Sequence, residues 1–159
     1  MKSKVLRLMA IILLLSLMGA GCDDNDNRNS DDELIEKEFY KFSDFGCESI
    51  FWYMKSEYEQ NHYVISSQQE LEGYIESGCI PQIDFSKYIV IIGNKRFTTG
   101  VSSYDEKVEE NNSEIIYTIT FLTNITAVAQ GVNYHTVIEK PKNWENKNVR
   151  VVEFIIDHE

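Results

Sequence analysis

The sequence predicts an α+β fold, mostly antiparallel: a small β-sandwich or partly closed barrel with one early helix. Three observations carry this. Ile115, Tyr117, Ile119 and Phe121 share one face and Thr118 and Thr120 lie on the other, the period of a half-buried strand. Tyr88–Gly93 (YIVIIG) is a nearly unbroken apolar run of strand length, as a central strand requires. Ser67-Gln-Gln-Glu70 is a capping box, the one clear helix start.

Taken in order, the first 21 residues are a secretory signal. Lys2, Lys4 and Arg7 precede an apolar core from Leu8 to Met18, too short to span a bilayer comfortably, and Gly19-Ala20-Gly21 then lead into Cys22. This ending resembles a bacterial lipobox, which implies cleavage before Cys22 and acylation of its thiol and new amine. Several acyl chains make a stable anchor where one is marginal. From Cys22 to Glu38 the chain holds 8 acids and 2 bases with little to bury, which predicts a flexible acidic tether. Acids following a lipidated cysteine resemble the export signal of Bacteroidetes lipoproteins. The expected location is therefore the cell envelope, at the outer membrane and facing outward; a merely solvating spacer is the other reading.

Residues 39–159 read as a single globular domain with no internal repeat or linker. An aromatic stretch, Phe39–Phe45, leads to Gly46. Ser49–Met54 and His62–Ile65 have strand character. In the helix, Leu71, Tyr74 and Ile75 share a face and Gly78 is placed to close it in the left-handed conformation. Asn111-Asn112 marks a hairpin turn between Val101–Val108 and the alternating strand. Tyr134–Glu139 and Val149–Ile156 complete the strands, separated by Pro141 and the polar stretch around Trp144.

Charge excludes one class of partner. The chain has 15 Lys+Arg and 26 Asp+Glu; without residues 1–21 it has 12 against 26, a net of −14. Phosphate contacts need clustered Lys and Arg, so no nucleic acid is expected. Cys47 and Cys79 are the even pair left once Cys22 is acylated, and an exported domain allows either a disulfide or two buried thiols. His62, His135 and His158 are isolated, with no zinc spacing, so no metal site is expected. No G-x-S-x-G, P-loop or G-x-G-x-x-G is present and no nucleophile pairs with a base, so neither enzymatic activity nor a cofactor is expected.

One resemblance points further. SSQQELEGYI (66–75), IDFSK (83–87) leading into YIVIIGNKRFTTG, then IIYTITFLTN and AVAQGVNYHTVIEKPK are together similar to the protease-complex PrcB family, over about Tyr63 to Ile156. That family has a strand ending in Gly, an Arg-x-Thr-Gly-Gly-Tyr-like loop and a Gln-x-x-x-x-Pro-Tyr turn. Arg96, Thr98, Thr99 and Gly100 match the loop, and Gln130 and Tyr134 match the turn; Val101, Ser102 and Asn133 depart from the pattern. The resemblance implies a membrane-anchored, non-catalytic lipoprotein that associates with or stabilises an exported protease. On that reading Arg96–Ser103 and Ala127–Tyr134 are loops that meet the partner. The alternative is a protease inhibitor that presents one of them to a target's active site.

Overall fold

The computed structural model describes residues 33–47, 52–58 and 61–157. Chain contacts separate Met1–Ser30 from a unit spanning Asp31–Glu159, and the elements below all belong to the second. Cys22, the signal, most of the acidic segment and Ser49–Phe51 lie outside the described residues.

The unit is mostly β, with three mainly antiparallel sheets and one short helix. Strands β1 (Ile35–Lys37), β6 (Gly100–Glu110), β7 (Glu114–Asn124) and β9 (Asn148–Asp157) form one sheet, in that spatial order. Strand β5 (Tyr88–Phe97) lies between β3 (His62–Ile65) and β8 (Gln130–Glu139) in a second. Strands β2 (Trp52–Met54) and β4 (Ile75–Gly78) pair as a third. No closed barrel exists among the described residues.

The apolar run of β5 is explained by its position, since both its faces are covered. Ile89 and Ile91 join Val108, Ile115, Tyr117, Ile119, Phe121, Tyr134 and Ile138 in the cluster between the two larger sheets. Val90 and Ile92 point the other way, into a cluster with Phe42, Trp52, Met54, Ile65, Leu71 and Ile75. That outer cluster is roofed by helix α1 (Gln68–Tyr74), the β2–β4 pair and the 3₁₀ turn Phe42–Phe45.

Ser67 caps α1 as expected, its hydroxyl accepting from the Glu70 amide at 3.2 Å, while the Glu70 carboxylate accepts from the Ser66 amide at 2.9 Å, one residue further back than in the standard box. The helix ends sooner than expected. Ile75 leaves it as extended backbone and starts β4, so Gly78 (φ 103°) sits at the end of a strand and not at a helix C-terminus. β-branched Ile75 gains more by pairing with Met54 and burying itself than by another helical turn. Cys79 accordingly follows a strand, and it is joined to Cys47 by a disulfide with Cα atoms 5.6 Å apart.

Two further expectations are corrected. Ile35–Lys37 belongs to a strand and not to a tether, pairing with Glu110–Val108 on the edge of β6. The segments read as loops at 96–103 and 127–134 are mostly strand. Only Thr98-Thr99 separates β5 from β6, and 125–129 separates β7 from β8. Both connections cross from one large sheet to the other at the same pole of the molecule, where β9 also ends. The chain enters β1 and turns at Asn111–Ser113 at the opposite pole. β9 starts at that pole too, which is why it runs parallel to β7.

Candidate functional site

The residues carrying the sequence resemblance meet at the crossing pole. Cross-strand pairing sets Arg96 opposite Gly131 and Phe97 opposite Gln130, so the two matched segments are neighbours. Most of the matched positions have packing roles. Gly100 allows the corner: a Cβ there would lie 2.4 Å from Asn124 Oδ1, the atom that accepts from the Thr126 amide at 3.0 Å. The bulge between Val101 and Ser103 then bends β6 into its sheet. Thr98 is exposed and Thr99 half-buried in the corner. Gln130 spans the two crossings, its amide donating to the Val101 carbonyl at 3.4 Å.

Tyr134 is the clear departure from a contact residue. It is fully buried, its hydroxyl donating to Glu153 Oε1 at 2.9 Å. Its ring lies over Gly93, the strand-ending glycine, where a Cβ would come within 2.2 Å of Tyr134 Cζ. Glu153 is held in turn by Lys95 at 2.7 Å. A second buried tyrosine repeats the arrangement: Tyr117 donates to Glu106, whose other oxygen binds Lys41. Burial first, then the adjacent carboxylate, pushes both phenols far above the ordinary tyrosine range. These are structural triads, with a lysine paired to each carboxylate and each phenol kept protonated.

What remains open at the pole is a cleft of about 310 Å³ lined by Asn94, Arg96, Phe97, Ala129, Gln130 and Gly131. It forms because alternation puts Asn94 and Arg96 on the outer face of β5, where Gly131 on β8 has no side chain to fill the space. Asn94 is 6% exposed, and its Nδ2 donates to Asn133 Oδ1 at 2.6 Å while its Oδ1 has no hydrogen-bond partner among the described residues. Asn133 continues the chain, donating to the Trp52 carbonyl at 2.7 Å. Arg96, exposed, lines the cleft with a planar guanidinium, while Asn94 Oδ1 is buried beneath it. Ile125, 88% exposed, and Val128, 50% exposed, lie on the connection that also carries the lining residue Ala129. Sequence reasoning found Arg96 and Gln130 but missed Asn94, whose only signal was a polar residue continuing an apolar strand.

A second cavity, of about 290 Å³, lies on the same face of the β5 sheet and is lined by Lys41, Phe42, Trp52, Tyr104, Asn133 and His135 among others. Burial and then the Lys41 charge push His135 down to about 3, so its ring is neutral at ordinary pH. Among the described residues no three His, Cys, Asp or Glu side chains are grouped to hold a metal ion, and no helix is long and apolar enough to cross a membrane.

Compared with known proteins, the chain matches no family model, no curated protein and no solved structure.

Proposed function

We propose that this is a lipid-anchored, non-catalytic interaction module, built on a small β-sandwich, that holds another exported protein at the Arg96–Asn94 cleft. The anchor is acylated Cys22, and the PrcB-like residues point to a protease as the partner, at the outward face of the outer membrane. The carrying observation is the cleft itself, an open concavity lined by exposed Arg96 and by Gln130 and Gly131, with the exposed aliphatic side chains Ile125 and Val128 at the same pole. Flanking apolar side chains with a few fixed polar groups are the usual make-up of an interface centre.

Placement supports the same reading. The chain enters the domain at the other pole, separated from the cleft by the length of β6, about 35 Å for an 11-residue strand. The cleft thus lies at the end of this unit remote from where the chain enters it. The Cys47–Cys79 disulfide suits an oxidising compartment. Protease inhibition is the less supported alternative, because Thr98-Thr99 is a two-residue corner and 125–129 a five-residue connection, which offer little chain to lay across an active site.

The test is affinity capture of envelope proteins by the anchored protein, comparing wild type with Arg96→Ala and Val128→Asp. Both variants should capture the partner about tenfold less, as expected for loss of a central contact, with an unchanged melting temperature. Equal capture by all three would remove the cleft from the interface.

A further inference from the structure

The second cavity contains a hydrogen-bonding conflict. A neutral imidazole has one N–H and one acceptor nitrogen. Yet the Phe42 amide points at His135 Nε2 from 3.0 Å, and the Trp52 indole Nε1–H points at His135 Nδ1 from 3.2 Å. Both neighbours can only donate. One ring nitrogen must carry the proton and face another N–H, and turning the ring over puts carbon at both contacts.

The two contacts are not equally replaceable. The Phe42 amide opens the 3₁₀ turn, its side chain is buried and stacks on the imidazole with ring centroids 3.9 Å apart, and its bond is the shorter. The Trp52 indole lies at the cavity wall. The consistent arrangement has Nε2 accepting from Phe42 and the proton on Nδ1. Trp52 Nε1–H and His135 Nδ1–H are then two donors with nitrogens 3.2 Å apart that need a common acceptor. Lys41, spanning Glu106 and the His135 carbonyl, adds another donor to the same wall, while Phe42, Trp52 and Tyr104 supply aromatic surface. Glu106 is already engaged by Lys41 and Tyr117, and Asn133 by Asn94 and Trp52, so among the described lining side chains the acceptors left are the Ser43 and Tyr104 hydroxyls, against the donors of Lys41, Trp52 and His135.

We propose that this cavity binds a small molecule with an aromatic or apolar body and one oxygen acceptor, a carboxylate or an amide carbonyl. The oxygen receives the Trp52 and His135 N–H groups together, and the body lies against Phe42, Trp52 and Tyr104. This site is separate from the partner cleft and stands or falls without it.

The test uses the full chain in lipid nanodiscs with three probes sharing one ring: phenylacetate, phenylacetamide and phenethylamine. Nitrogen-15 spectra of the imidazole should report the Nδ1–H tautomer. At least one oxygen-bearing probe should bind saturably and move the Trp52 indole N–H resonance, with phenethylamine at least tenfold weaker; preference for phenylacetate assigns a carboxylate, and preference for phenylacetamide a carbonyl. Trp52→Phe should weaken that binding at least tenfold at a temperature where the variant is folded, because it removes one of the two N–H groups that hold the oxygen. An Nε2–H tautomer, equal binding of phenethylamine, or no saturable binding of either oxygen-bearing probe would overturn the proposal.

Discussion

Gly93 and Tyr134 show how single residues shape this fold. They are directly paired across β5 and β8, and the tyrosine ring occupies the space a Cβ at Gly93 would need. Gly93→Ala therefore forces the ring off its rotamer and should cost roughly 2–3 kcal/mol. In a Tyr134→Leu background, which lacks the clashing atoms, the same change should cost little; a double-mutant cycle by urea unfolding measures the difference, and an unchanged cost would mean the two do not couple. The buried phenols make a separate prediction. Tyr117 and Tyr134 keep their protons in the folded state well above pH 10, whereas an unfolded tyrosine ionises near 10. Above that pH the unfolded state binds fewer protons than the folded one, so stability falls as pH rises, by about 1.4 kcal/mol per pH unit for each residue. Urea midpoints measured from pH 9 to 11.5 should show this decline, with a smaller slope in Tyr117→Phe. A flat profile in wild type would contradict the assignment. Sequence alone did not separate these tyrosines from exposed ones, because burial of a phenol depends on a carboxylate brought in by another strand, here Glu153 from β9 and Glu106 from β6.

Among the elements, the β2–β4 pair depends most on a single covalent link. Its strands have 3 and 4 residues, and a two-stranded ribbon of that size is marginal by itself. The disulfide closes a separation of 32 residues that contains the pair and α1, which on chain-entropy grounds contributes roughly 3–4 kcal/mol. Cys47→Ala with Cys79→Ala should lower unfolding stability by about that amount, and intact-mass analysis after alkylation without reductant should find no free thiol at either position. Two free thiols, or unchanged stability, would contradict it. Local patterns made much of the architecture legible: the capping box gave α1, alternation gave β7, the apolar run gave β5 and the Asn pair gave the β6–β7 turn. The failures share a cause. Ile35–Lys37 pairs only because an open edge of β6 accepts it, α1 stops early because Ile75 finds Met54, and strand continues through Arg96 and Gln130 because the two segments pair with each other. Each is a tertiary choice that a local window does not contain.

At the scale of the described unit, its features divide between two poles. The chain enters and turns at one end, and both inter-sheet crossings, the Arg96–Asn94 cleft and the exposed Phe154, Ile155 and Ile156 at the end of β9 gather at the other. Of the cleft, the sequence resemblance made Arg96 and Gln130 legible, while the buried Asn94 acceptor depended on the glycine that pairing places next to Arg96. The proposal that the distal pole holds the partner is tested most directly by site-specific photo-crosslinking of the anchored protein in its native membrane, with a benzophenone amino acid at Thr98 in one variant and at Lys142, exposed in the loop between β8 and β9 at the entry pole, in the other. The expected result is a discrete protein adduct from position 98 and none from position 142; an adduct from 142 with none from 98 would contradict the account.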